Sequence, residues 1–301
     1  MTNTPIAALI YDYDHTLSPR DMQEFSFLPG LGVDADAFWA SCRQTALTHR
    51  MDGVLAYMFR MWQVSRGRMR LTRAALMELG KDIAFFPGVE DWFQRIDQTG
   101  KSEGVNVEHY IISSGLKEII EGSSIARHFK AVFAASYVYD EKGEAVWPAT
   151  ALNYTNKTQY LFRINKGLLD VTNDRDLNAY TPEHMRRVPF TGMIYVGDGL
   201  TDVPCMKMTR QKGGYSIAVH APDGSPTLAD DMLLQKRADF AVPADYRPGK
   251  ELERAVRGIF REIRARHDLI VLQDDEERRA LARRASSKPT GCPAPGVPGE
   301  E

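Results

Sequence analysis

The sequence predicts a doubly wound α/β fold, in which a mostly parallel sheet packs between helices and an all-helical domain is inserted into it. Three observations predict this. Short, continuous apolar runs recur along the 301-residue chain, helical patterns lie between several of them, and residues 18–87 carry helix signals without a convincing strand. At about 150 residues per domain, the length suits one core with a large insertion.

The first run, Ile6-Ala7-Ala8-Leu9-Ile10-Tyr11, is too short for an independent helix and stops at Asp12, so it reads as a buried strand. Similar runs occupy residues 110–112, 131–135, 193–196 and 216–219. Unbroken hydrophobicity marks strands covered on both faces, as in a parallel sheet between helices. Helical patterns over residues 116–125 and 157–164 complete the alternation.

The insertion breaks that rhythm. Asp34 can cap a helix that holds Phe38, Cys42 and Ala46, and Val54, Leu55, Met58, Phe59 and Trp62 form a second apolar face at helical spacing. Thr72 and Gly80 fit the start and stop of a short helix through Leu76, and residues 86–89 turn the chain into another helix over 90–98. The expected division is a core of residues 1–17 and 88–249, with residues 18–87 as a lid that needs the core's support. The methionines at 51, 58, 61 and 69 read as filler of that lid's core.

Residues 137–147, centred on Glu141-Lys142-Gly143-Glu144, resemble a hairpin, and the polar stretch 170–189 reads as an excursion from the core. A C-terminal helical segment over 250–285 carries Leu252, Val256, Ile259, Phe260 and Ile263 on one stripe. Two uses are open for it: packing on the core, or pairing two copies as a homodimer. Residues 286–301, with four prolines and three glycines, are expected to form a disordered tail.

Composition narrows the function classes. Hydrophobic residues at 43% and charged residues at 26% exclude wholesale disorder. With 38 basic against 40 acidic side chains, the net charge of −2 gives no basic excess that would make nucleic acid or a membrane surface the default partner. Three distant cysteines without a CxxC spacing argue against a disulfide framework or thiolate zinc. The N-terminal apolar run is too short for a signal peptide and no run approaches a membrane span, so a cytoplasmic setting is expected.

The chemistry concentrates at three strand ends. Asp12-Tyr13-Asp14-His15-Thr16 follows the first strand, Ser113-Ser114-Gly115 follows the run at 110–112, and Gly197-Asp198-Gly199-Leu200-Thr201-Asp202 follows the run at 193–196. Open α/β sheets bind ligands at the carboxyl ends of their strands. Hard oxygen ligands favour Mg²⁺ over a softer metal, and loop amides at a helix entry favour an anion. Taken singly, each motif has a plainer reading: Asp pairs and Gly-Asp-Gly form ordinary turns, and Ser and Gly populate most helix entries. Together they suggest Mg²⁺-assisted attack on a phosphoryl group.

In this order, DxDxT, a strand-ending Ser, a helix-starting Lys157 and GDGxxD resemble the haloacid dehalogenase (HAD) superfamily, in particular its phosphoserine-phosphatase-like phosphatase branch with a C1-type helical cap. The resemblance covers residues 6–17 and 88–220. It implies Asp12 as nucleophile, Asp14 as general acid and base, and Thr16 as support for the loop. It implies Ser113, with amides near Ser114 and Gly115, and Lys157 as phosphate-binding groups. Mg²⁺ would be held by Asp12, the Asp14 backbone carbonyl and Asp198, with Asp202 in support. Lys166 competes with Lys157, which is preferred because it opens the helical pattern; the interval from Lys157 to Asp198 is longer than this family usually shows, and the excursion accounts for the excess. Asp14 separates the phosphatases from dehalogenases and P-type ATPases, which lack it.

The implied activity is hydrolysis of a small phosphorylated substrate. A phosphotransferase or phosphomutase with the same aspartyl-phosphate, and a non-catalytic binding protein of the same fold, are the alternatives. His15 reads as a loop residue. Arg20, Gln23, Arg43, His49, Arg50 and Arg60 are the insertion residues that could read the substrate, and for each a solvated surface role is the plainer reading.

Overall fold

The computed structural model describes residues 4–286. Seven strands form one sheet: β1 (Ile6–Tyr11), β2 (Asn106–Leu116), β3 (Phe129–Tyr139), β4 (Ala145–Thr150), β5 (Met193–Gly197), β6 (Tyr215–His220) and β7 (Phe240–Pro243). Their order is β4-β3-β2-β1-β5-β6-β7. Every pairing is parallel except β3 with β4, the hairpin expected at 137–147. β7, at the sheet edge, is not among the expected strands; its apolar run Phe240-Ala241-Val242 is short and closes on Pro243.

Both faces of the sheet are covered, which is why its strands are uniformly apolar. On one face Leu9 and Tyr11 belong to a core with Trp92, Phe93 and Ile96 of helix α5 (Val89–Ser102). On the other, Ala8 and Ile10 join Leu161 and Ile164 of α7 (Thr158–Lys166), together with Cys205 and Met206 of α9 (Val203–Gln211). Met232 of α10 (Thr227–Leu234) extends that second core. The long helix α11 (Glu251–Ser286) buries Leu252, Val256, Ile259, Phe260 and Ile263 in the first core, so its N-terminal half packs on the sheet. Beyond that stripe Leu269, Leu272 and Leu281 are exposed. The tail expected to be disordered lies, past Ser286, outside the described residues. Among the described residues, no helix is long and apolar enough to cross a membrane.

Between β1 and α5 the chain is helical, with α1 (Phe27–Gly30), α2 (Ala35–His49), α3 (Gly53–Ser65) and α4 (Arg73–Leu79). Side-chain caps start three of them. Asp34 accepts the Ala37 N–H, Asp52 those of Val54 and Leu55, and Thr72 that of Ala75. The two crossings between insertion and sheet are tied to each other by the Phe86 N–H donating to the Leu17 carbonyl at 2.9 Å.

Gly80 caps α4 at the expected stop, but with right-handed backbone. It is small because α4 lies directly on α6 (Lys117–Gly122). A Cβ at Gly80 would come within 2.1 Å of the Ile119 carbonyl oxygen, and one at Gly122 within 1.8 Å of the Met77 carbonyl oxygen.

The excursion at 170–189 contains the short helix α8 (Asp174–Asn178) and is pinned from below. Arg163, only 2% exposed, donates to the carbonyls of Asp170, Val171 and Asn173 and to the Asp174 carboxylate. Lys166 donates to the carbonyls of Leu177 and Ala179, which commits it to the excursion.

Gly122→Ala should therefore push the insertion off the core. We expect a loss of about 1–3 kcal/mol, the usual cost of overpacking, read as a lowered thermal midpoint. An unchanged midpoint would contradict the close backbone approach.

Candidate active site

The strand order places β1 between β2 and β5, so successive connections run in opposite directions from it. Such a switch point opens a crevice at the strands' carboxyl ends. Tyr11 pairs with Ile111 on one side and Val196 on the other, which brings the residues following β1 and β5 together with residues 113–115. These last lie not after β2 as expected but in its irregular final stretch, before Leu116. The Asp12 N–H donates to the Val196 carbonyl at 2.9 Å, holding the nascent loop in the ladder.

Asp12, Asp198 and Asp202 each present a carboxylate oxygen within 4.8 Å of the others. Lys157 lies among them, fully buried, with Nζ 2.8 Å from Asp202 Oδ1 and 3.3 Å from Asp12 Oδ1. It closes the 3₁₀ turn Tyr154–Lys157 that leads into α7, so the helix entry aims its ammonium at the strand ends. Asp202 Oδ1 also accepts the Tyr195 hydroxyl at 2.8 Å, and Oδ2 accepts the Gly199 N–H at 3.2 Å. Three donors thus hold Asp202 in place. Gly197 must be glycine here, because a Cβ would meet Asp202 Oδ2 at 2.6 Å.

The remaining predicted residues surround this cluster. Thr16 donates its hydroxyl proton to Asp198 Oδ1 at 3.0 Å, and its own carbonyl accepts the Tyr246 hydroxyl at 2.8 Å. Asp14 Oδ1 accepts the Met22 N–H at 2.9 Å. Ser113 Oγ accepts the Gly115 N–H at 3.0 Å, so that amide is engaged within the loop. Ser114 offers its carbonyl to the Tyr57 hydroxyl of α3 at 2.7 Å. His15, with φ at 57°, places Nε2 3.6 Å from Asp21 Oδ2.

Tyr57, Tyr195 and Tyr246 had no motif to announce them. Their hydroxyls reach the site only through packing of α3, β5 and the loop before α11. Of the six insertion residues that could read a substrate, Gln23 lines the cavity above the cluster. Arg60 is turned toward Ser41 and Gln63, and Arg20 stacks over Phe25.

Electrostatics follow from the crowding. Burial raises the Asp198 carboxyl to about 8, with Asp202 and Asp12 adding to the effect. Burial and then Asp202 lift Asp12 to about 6 against the pull of Lys157. Asp14 is held well above the usual carboxylate range by burial, then by Asp21 and Asp12. Burial pulls Lys157 down, but Asp12 and Asp202 outweigh it and the ammonium is stabilised overall. The Asp21 carboxylate raises His15 to about 9 despite its burial.

Three carboxylates against one ammonium leave the cluster short of positive charge. Hard oxygen donors at this spacing fit a divalent cation such as Mg²⁺. Without one, raised carboxyl pKa values mean that the folded site keeps protons the unfolded chain releases near pH 4. These groups therefore cost stability as pH rises from about 4 through the Asp198 value of about 8. A cation displaces those protons, so Mg²⁺ should raise the thermal midpoint more at pH 8 than at pH 6 and bind more tightly there. Equal shifts at both pH values would place the bound cation elsewhere.

Residues 9–207 match the model of the haloacid dehalogenase-like hydrolase family. An uncharacterized protein of Borreliella burgdorferi is 28% identical over 278 residues, covering 82% of this chain and 94% of its own. Among solved structures, a HAD family hydrolase from Salmonella enterica serovar Typhi superposes with a TM-score of 0.50 at 17% identity, covering 80% of this chain and 69% of its own. A probable phosphoserine phosphatase from Vibrio cholerae gives a TM-score of 0.52 at 12% identity, covering 88% and 69%. With the family model spanning well over half the chain and the motif residues gathered at one switch point, this protein belongs to the haloacid dehalogenase-like hydrolases.

Proposed function

We propose that this hydrolase is a Mg²⁺-dependent phosphatase that cleaves a small phosphomonoester through an aspartyl-phosphate on Asp12. The observation that supports it most is the buried Lys157 ammonium 3.3 Å from Asp12, beneath a cavity that Asp12, Asp14 and Asp198 line. A carboxylate can attack an anionic phosphate only where positive charge lies between or beside them.

In this reading one Asp12 oxygen bonds to phosphorus as the ester oxygen departs. Asp14, whose carboxyl burial holds well above the usual carboxylate range, is the group that gives a proton to the leaving oxygen. It then takes a proton from the water that cleaves the acyl-phosphate, releasing inorganic phosphate and restoring Asp12. Ser113 binds the phosphoryl oxygens, and Lys157 offsets their charge and orients Asp12. Asp12, the Asp14 backbone carbonyl and Asp198, with Asp202 beside them, would hold Mg²⁺, which when bound would supply the remaining positive charge. Thr16 keeps Asp198 turned inward. The helical insertion acts as a cap that limits water in the site.

Phosphate release from p-nitrophenyl phosphate and a phosphomonoester panel tests the assignment. We expect activity with Mg²⁺ and none with chelator. Asp12→Asn should lower kcat by about 10⁴-fold, as loss of a nucleophile does. Lys157→Met should lower it by about 10²-fold, as loss of a charge-stabilising group does. Asp14→Asn should slow turnover by about 10²–10⁴-fold. Activity that survives Asp12→Asn would overturn the mechanism.

A further inference from the structure

The cavity above the cluster, about 310 Å³, has a floor of catalytic groups and a wall made by the insertion. Gln23, Trp39, Val54 and Tyr57 form that wall, and Asn153 and Tyr154 complete it from the sheet side. Among the described residues no lysine or arginine lines it. Lys157 lies beneath Asp12, already held by Asp12 and Asp202. None of the insertion's arginines reaches it: Arg66 lies over Trp62, Arg68 donates to the Leu31 carbonyl, Arg70 pairs with Glu144 and Arg73 with Glu121. The basic side chain that does line it, His15, faces Asp21. A second anionic group on a substrate would enter a space lined by Asp14, Asp21 and Asp198 and find no unengaged cation.

The wall's polar groups are unequal. Trp39 spends its indole N–H on Glu24, and Tyr57 its hydroxyl proton on the Ser114 carbonyl. Gln23 is 1% exposed, and its buried Oε1 has no hydrogen-bond partner. A buried acceptor without a donor is unfavourable, and in a cavity wall a ligand relieves it. Its position is informative too. Gln23 follows Met22, whose N–H holds Asp14, so the residue belongs to the turn that braces the group assigned to protonate the leaving oxygen, and it lines the same cavity.

We infer that the leaving group carries a hydrogen-bond donor, a hydroxyl or an amine, read by the Gln23 carboxamide, and bears no carboxylate or second phosphate. This rests on the phosphatase reading and sharpens it to a substrate class: esters of small neutral or cationic alcohols. Gln23 is then a specificity-determining residue. The phosphoryl group itself is bound by the floor, so the wall discriminates only among leaving groups.

Matched esters test it. Glycerol 3-phosphate and 3-phosphoglycerate differ by a hydroxymethyl group against a carboxylate, phosphoethanolamine and phosphoserine by the carboxylate alone, and ethyl phosphate lacks a donor. Each is measured twice: as kcat/KM for phosphate release with Mg²⁺, and as calorimetric affinity for the Asp12→Asn protein with Mg²⁺. We expect each carboxylate-free ester to exceed its partner by at least about tenfold in both measurements. Gln23→Leu should raise KM for glycerol 3-phosphate about tenfold, the order expected when a buried polar group loses its partner, and leave ethyl phosphate unchanged. The ethyl phosphate value also shows that the variant is folded. Equal handling of the paired esters, or a Gln23→Leu loss shared by all substrates, overturns the inference. Binding preference without phosphate release from any ester would instead overturn the phosphatase reading and leave the selectivity standing.

Discussion

A single ammonium, buried among carboxylates, governs how this site is built. Lys157 is fully buried yet remains charged because Asp12 and Asp202 lie within ion-pair distance of it. Removing such a charge from water is costly, and only close partners with further hydrogen bonds offset it. Those hydrogen bonds come from the scaffold: Tyr195 and the Gly199 amide hold Asp202, and Thr16 holds Asp198. Crowding in turn raises the carboxyl groups that face the cavity. The site is therefore poised to exchange protons for a cation.

The helical insertion is part of the site as well as its cover. Its first turn holds Asp14 through the Met22 amide, and Tyr57 of α3 reaches across to the Ser114 carbonyl. Asn153, in the loop that leads to Lys157, donates to Asp52 at the start of α3. Position of the insertion and geometry of the loops around the cluster are thus mechanically linked. A motion that lifts α3 would break its contacts with the Ser114 carbonyl and with Asn153, so movement of the insertion would loosen the site.

Segments with no motif also have defined structural jobs. The excursion at 170–189 looks like a polar detour, but it closes over Arg163, which is nearly inaccessible and donates to three carbonyls and a carboxylate. Arg163 lies on the same helix as Tyr160, Leu161 and Ile164, and that helix begins where Lys157 ends. The long interval between Lys157 and Asp198 is therefore filled by a structure anchored to the helix that carries the lysine.

Local sequence carried most of the fold and the motif set. Apolar runs ended by Asp12 and Asp198 mark strand ends because a charged residue must leave the apolar layer at the sheet's rim, and that rule needs no partner; the run ended by Ser113 does not, since β2 continues through an irregularity to Leu116. Caps at Asp34 and Thr72 were legible for the same reason, since the acceptor and the amide it serves lie three residues apart. The edge strand β7 was not, because three apolar residues closed by a proline do not by themselves distinguish a strand from a turn. Nor was the true reason for Gly80, a backbone contact with a helix some forty residues away. Tertiary structure alone decided that Lys157 rather than Lys166 faces Asp12, that Tyr57, Tyr195 and Tyr246 brace the loops, and that Gln23 rather than an arginine lines the wall. Chain-local chemistry determines which groups stand at a strand end; which of them meet across the crevice depends on the packing of helices distant in sequence, and no local pattern encodes that.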